Sequence, residues 1–122
     1  MVIHESAEDY LESILILRGR LGSVRSIDIV NELGYSKPSV SIAMKKLREN
    51  GYISVAGDGT ITLNDSGMEI ASRIYGRHKT LTEFFTILGV SSKIAAEDAC
   101  KVEHDLNNET FARITEFVER SR

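Results

Sequence analysis

The sequence predicts a mainly α-helical chain interrupted by one small β-hairpin, on three observations. Apolar residues recur at three- and four-residue spacing from Tyr10 to Leu47, fall into period two between Tyr52 and Leu63, and return to helical spacing from Met68 to Val118. The length of 122 residues and a hydrophobic share of 42% suit one domain of ordinary size, or a small domain with an appendage. That apolar content is too high for a disordered chain, and no apolar run approaches the ~20 residues of a membrane span.

The first helix is expected from Ser6, as N-cap, to about Arg20. Tyr10, Leu11, Ile14, Leu15 and Leu17 form its apolar face, and Gly19 and Gly22 end it. Ser26 can cap a short second helix carrying Ile27, Ile29, Val30 and Leu33, stopped by Gly34. Ser36 caps a third, with Pro38 in the first turn, where a missing N–H costs nothing; Val40, Ile42, Ala43, Met44 and Leu47 follow until Gly51. The runs Tyr52–Val55 and Thr60–Leu63, joined by Ala-Gly-Asp-Gly, are a hairpin signal. Asn64 or Asp65 then opens a long helix to about Leu88, stopped by Gly89. Two more helical stretches run from Ser91 or Ser92 to about Leu106 and from about Asn108 to the end. The composition shows no linker and no repeat, and the change of period suggests two regions, 1–63 and 64–122.

Helix, short helix, glycine turn, helix and small hairpin is the order of a winged helix-turn-helix followed by a helical domain. The third helix carries Lys37, Lys45, Lys46 and Arg48 with no acid between Lys37 and Arg48. Ser36, Ser39 and Ser41 stand near its N-terminus, where a recognition helix meets bases and backbone amides favour phosphate. A solvated basic face is the plainer explanation of such a cluster. The turn before it and the hairpin after it favour DNA, with Arg25, Ser36, Lys37, Pro38, Ser39, Ser41, Lys45 and Lys46 as expected contacts. The formal charge of −3, from 18 acids and 15 bases, argues against this only weakly, because steering depends on the local face. The acidic excess lies mainly after the hairpin, with 10 acids to 8 bases in 64–122 against 8 to 7 in 1–63.

Asp9 and Glu12 stand three apart on the first helix, His78 lies on the long helix, and Cys100, Glu103 and His104 stand at i, i+3 and i+4 on the next. Taken singly, each has an ordinary reading: paired carboxylates usually mark a wet face, and a lone cysteine is usually small core packing. The coincidence is that the sole cysteine and two of the three histidines fall in these groups. Such O, N and S donors suit a divalent first-row metal. His4 is read as solvated. The opening MVIHESAEDY carries acids where a secretion signal has a basic region, and one cysteine cannot form an internal disulfide, so a cytoplasmic location is expected.

These residues resemble the diphtheria toxin repressor family of metal-dependent repressors, most closely its short manganese transport regulator branch. The likeness rests on Glu8-Asp9-Tyr10-Leu11-Glu12, Ser36-Lys37-Pro38-Ser39-Val40-Ser41, Leu63-Asn64-Asp65-Ser66-Gly67, Arg77-His78 and Cys100-Lys101-Val102-Glu103-His104-Asp105-Leu106. The last is the most specific; the Leu63–Gly67 pattern occurs in many winged helices. The resemblance implies a homodimer that binds palindromic operator DNA when loaded with Mn2+ or Fe2+ and represses metal-uptake genes. It further implies metal-ligand roles for Asp9, Glu12, His78, Cys100, Glu103 and His104, with the metal joining the first helix to the dimerisation helices.

Two departures stand out. Asp9 matches the manganese branch, whereas Cys100 matches the iron branch. The second site of the iron branch would need a glutamate and a histidine where this chain has Thr82 and Ala96, and Glu83, about 100° further round the helix, is a poor substitute. A chain ending at Arg122 is also expected to lack the SH3-like third domain of longer relatives. The alternatives are a winged-helix regulator answering an organic ligand or a redox signal at Cys100, and a small metalloenzyme. No phosphate loop, HExxH helix or nucleophile–base arrangement supports an enzyme.

Overall fold

The computed structural model describes residues 5–122, and His4 lies outside them. Among the described residues, six helices and a two-stranded hairpin form two compact units, one through Ser72 and one spanning Arg73–Arg122. The mainly α fold with a hairpin wing is the one the sequence predicts.

In the first unit, helix α1 spans Glu5–Leu21. It is already under way at Glu5, so Ser6 sits inside it and is not its N-cap. It ends where Gly22 takes φ 86°, its N–H donating to the Arg18 carbonyl at 2.9 Å. Helix α2, Ser26–Leu33, is capped at Arg25 rather than Ser26. The extended Arg25 backbone N–H donates to Asp28 Oδ2 at 2.9 Å, the returning half of a capping box. Gly34 closes α2 in the left-handed region, at φ 73°. Helix α3, Lys37–Glu49, has the expected Ser36 cap: its Oγ accepts from the Ser39 N–H at 3.2 Å, with Pro38 in the first turn.

Strands β1 (Ile53–Val55) and β2 (Ile61–Leu63) pair antiparallel, with Ile53 opposite Leu63 and Val55 opposite Ile61. The Ile61 N–H also donates to the Val24 carbonyl at 2.7 Å, so the link between α1 and α2 adds a one-residue third edge. Leu11, Ile14, Leu17, Val24, Ile29, Val40, Met44, Leu47, Ile53 and Ile61 form the core beneath these elements. The segment Asn64–Gly67 fastens the start of helix α4 (Asp65–Ile87) to the turn after α3. Asn64 Nδ2 and Ser66 Oγ both donate to the Gly51 carbonyl, at 3.0 and 3.1 Å, and a Cβ on Gly67 would lie 2.2 Å from the Tyr52 carbonyl oxygen.

The second unit takes α4 from Arg73 onward, helix α5 (Ser92–Val102) and helix α6 (Asn108–Arg120). Ile74, Leu81, Ala95, Ala99 and Val118 are buried in it, and Phe84 meets Phe117 edge to face at 5.6 Å. Helix α5 stops at Val102, short of the Leu106 that periodicity predicts. Asn107 caps α6, its Oδ1 accepting from the Glu109 N–H at 2.8 Å. Among the described residues no helix is long and apolar enough to cross a membrane.

Candidate metal centre and nucleic-acid interface

His78 comes from the second half of α4, and Cys100 from the last turn of α5. Glu103 follows α5 as its C-cap, with helical backbone angles (φ −59°, ψ −26°) and its N–H still on the Ala99 carbonyl at 3.0 Å. Cys100 and Glu103 therefore keep the i, i+3 relation of one helix face, while His104 lies in the turn beyond rather than on the helix. The chain brings one donor each from His78, Cys100 and Glu103 to within 4.8 Å of one another.

Glu103 is fully buried. Its Oε2 lies 3.0 Å from His78 Nδ1, and its Oε1 lies 3.5 Å from Nε2 of His104, whose side chain is only 2% exposed. Oε1 makes no hydrogen bond among the described residues. A carboxylate held out of water with one oxygen unbonded is unfavourable on its own and becomes favourable once it shares a cation. The Cys100 sulfur, 3.7 Å from His78 Nδ1, and the Glu103 carboxylate together push the His78 imidazole up to about 10. A carboxylate, an imidazole and a thiol converging in this way fit a divalent transition metal.

The other expected ligands, Asp9 and Glu12, lie one turn apart on α1. Asp9 is half-buried and Glu12 buried. The Thr82 hydroxyl donates back to the His78 carbonyl at 2.7 Å. The Glu83 carboxylate pairs in bidentate fashion with Arg122, at 3.1 and 2.7 Å, which holds it below the usual carboxylate range. Glu83 is thus engaged by a different partner from the His78 cluster.

Sequence reasoning gave no role to Arg77, which is buried. It donates from Nη1 to the carbonyls of Glu103 (3.1 Å) and Leu106 (2.8 Å) and from Nη2 to Asn108 Oδ1 (2.6 Å). Its guanidinium lies 5.1 Å from the Phe111 ring centre. The signal that could have found it is a cation at a core position, three residues after Ile74 and four before Leu81.

On the first unit, Ser36, Lys37, Pro38, Ser39, Ser41, Lys45 and Lys46 are all exposed, on α3 or at its cap. The inner face of α3 is held in the core by Val40, Met44 and Leu47. Ile42, 57% exposed, interrupts the polar face; with Ser41, Lys45, Arg48, Ser26 and Val55 it lines a shallow cleft of about 310 Å³ between α3 and the hairpin. An apolar side chain so placed can meet a thymine methyl. Arg25 is exposed and lies 3.9 Å from Asp58 in the wing turn. The Thr60 N–H, donating at 3.0 Å, holds the Asp58 carboxyl below its ordinary value, with a smaller contribution from Arg25.

Residues 3–61 match a family model described as the N-terminal DNA-binding domain of iron-dependent repressors. Residues 64–122 match one described as the metal-binding and dimerisation domain of the same proteins. An uncharacterized helix-turn-helix-type transcriptional regulator of Methanocaldococcus jannaschii is 35% identical over 95% of this chain and 94% of its own length. The transcriptional regulator MntR of Salmonella typhimurium is 32% identical over 95% of this chain and 74% of its own. Among solved structures, that of a manganese-dependent transcriptional repressor with manganese matches at 28% identity and TM-score 0.85, covering 93% of this chain and 52% of that one. That of IdeR from T. acidophilum matches at 26% and 0.82, covering 95% and 54%. The chain spans about half the length of these two solved relatives.

Proposed function

The chain belongs to the iron-dependent repressor family, and on that premise we propose that it is a metal-dependent, DNA-binding transcriptional repressor of metal-ion homeostasis genes, acting in the cytoplasm as a homodimer and not as an enzyme. Residues 1–63 form its DNA-binding domain and 64–122 its metal-binding and dimerisation domain. The metal is Mn2+ or Fe2+, and the metal-binding description of the matched family favours it over an organic ligand or a redox signal. The ligands are Asp9, Glu12, His78, Cys100, Glu103 and His104. The observation that carries this reading is the buried Glu103 carboxylate, with His78 and Cys100 gathered round it.

When bound, the ion supplies the positive charge that a buried carboxylate lacks. The remaining work falls to the chain. Glu103 holds its carboxylate toward His78 through the last turn of α5, and Asp9 and Glu12 belong to the unit that carries the recognition helix, so an ion held by them acts on that unit directly. Ser36 fixes the start of α3, and Lys37, Lys45 and Lys46 neutralise phosphates while Ser39 and Ser41 face base edges. Two such helices in a dimer read half-sites one helical turn, or a multiple, apart. Because the coupling is reciprocal, operator DNA tightens metal binding by the factor by which metal tightens DNA.

The test is binding to the DNA upstream of the chain's own gene with Mn2+, Fe2+, Zn2+ or chelator. Tight, chelator-sensitive binding with Mn2+ or Fe2+ is expected; equal binding in every condition overturns the reading.

A further inference from the structure

We propose that Arg77 is a positioning residue for the metal centre: by holding the carbonyls of Glu103 and Leu106 and the side chain of Asn108, it sets the turn that presents Glu103 and His104. This rests on the reading of those two residues as ligands.

Helix α5 ends at Val102; in the turn that follows, the Glu103 N–H still donates to the Ala99 carbonyl at 3.0 Å and the Asp105 N–H to that of Val102 at 3.1 Å, while the carbonyls of Glu103 and Leu106 turn to Arg77. Carbonyls at a helix C-terminus need donors and favour a cation. Arg77, 26 residues earlier in the chain, meets this need with Nη1 at 3.1 Å from the Glu103 oxygen and 2.8 Å from that of Leu106. Its Nη2 at 2.6 Å from Asn108 Oδ1 ties the same turn to the first residue of α6. Phe111 supports the guanidinium face at 5.1 Å. A buried cation is a costly way to fill a core position between Ile74 and Leu81, so packing alone does not account for it. The planar fork of arginine places Nη1 on the two carbonyls and Nη2 on Asn108 together; lysine, with its three donors on one nitrogen, cannot reach both places. Because Arg77 precedes His78 on α4, one short segment both supplies a donor and aligns the turn carrying two others.

The test is titration of the full-length protein with Mn2+ and with Co2+, without DNA, comparing the parent with Arg77→Met, Arg77→Lys, Glu103→Ala and the double variant Arg77→Met/Glu103→Ala. Outer partners of metal ligands are worth about 10–100-fold in affinity. The expected result is a loss of that size for Arg77→Met, a smaller one for Arg77→Lys, and a double variant weaker than Glu103→Ala by clearly less than the Arg77→Met loss, the remainder passing through His104. The Co2+ form of Arg77→Met is expected to keep the thiolate charge-transfer band of Cys100 while its ligand-field bands shift. Should Arg77→Met fail to fold, Arg77→Lys and Asn108→Ala carry the same comparison. Affinity within twofold of the parent, or losses that simply add in the double variant, overturns the proposal while leaving the ligand assignment intact. Unchanged affinity in Glu103→Ala overturns both.

Discussion

His78 Nδ1 lies 3.0 Å from Oε2 of the fully buried Glu103, with the sulfur of Cys100 3.7 Å from the same nitrogen. Without metal, this arrangement keeps a proton on the imidazole up to about pH 10. A folded-state value raised above the ordinary ~6.5 stabilises the metal-free protein fully below that value, and the contribution is lost as pH rises through about 10. Metal binding to His78 must expel this proton, so metal affinity moves the other way and weakens as pH falls. For one displaced proton the change is about tenfold per pH unit. Mn2+ titrations at pH 6.5, 7.5 and 8.5 check this. Affinity independent of pH would mean that His78 keeps its proton and is not a ligand.

Cys100 is the exposed donor of the cluster, so its replacement should not disturb the core. Cys100→Ala is expected to fold as the parent does, to lose near neutral pH part of the stability that protonated His78 gives the metal-free protein, and to lose about 10-fold or more in affinity for Co2+ and Zn2+. Cys100→Glu, a harder donor, should shift preference toward Mn2+ relative to Zn2+. Competitive titrations of the parent and both variants measure the two effects. An unchanged Zn2+-to-Mn2+ ratio in Cys100→Glu would remove the thiol from the list of ligands.

Much of this was legible from spacing, because caps and turns act locally. Ser36 with Pro38, Gly34 after α2 and Ala-Gly-Asp-Gly between strands all carry their structural meaning within four residues. The readings that failed depend on something further away or on a competing local bond. Ser26 reads as a cap, but Asp28 reaches back to the Arg25 N–H and moves the cap by one residue. The helical pattern runs through Leu106, but α5 stops at Val102 and His104 lies beyond the helix, in a turn whose Glu103 and Leu106 carbonyls go to Arg77, a contact across 26 and 29 residues that no local pattern records. The Val24–Ile61 bridge pairs single residues 37 apart, which no periodicity records. For the candidate site, the rarity of cysteine and histidine pointed to His78 and Cys100, whereas the unbonded, buried oxygen of Glu103 is a property only three-dimensional packing reveals.

Gly67 is fixed by contact rather than by backbone angle. Its missing Cβ would stand 2.2 Å from the Tyr52 carbonyl oxygen and 3.4 Å from Leu11 Cδ2. The carbonyl cannot retreat cheaply, because it also accepts from the Asn64 N–H at 3.0 Å. Gly67→Ala is expected to cost about 1–3 kcal/mol, the range for overpacking a tight site, and to lower Tm by several degrees. A thermal melt within one degree of the parent would show that the start of α4 can shift freely.

The exposed lysines of α3 make a prediction separable from metal binding. Lys45 projects from the face opposite Val40, Met44 and Leu47 and borders the cleft with Ser41 and Arg48. If it neutralises one phosphate, Lys45→Ala removes one counterion-release contribution and leaves base contacts in place. Affinity should then fall by a similar factor for operator and unrelated DNA, and the slope of log K against log salt should become shallower by about 0.9 per site. Ser39→Ala, nearer the N-terminus where α3 would meet base edges, should instead lower affinity for operator more than for unrelated DNA, with the salt slope unchanged. Both are read by fluorescence anisotropy across a salt series with metal held in excess. Mn2+ affinity without DNA should be the same in both variants as in the parent, because neither residue is among the ligands. An unchanged salt slope in Lys45→Ala would move the DNA backbone away from this face of α3, whatever the fate of the metal centre.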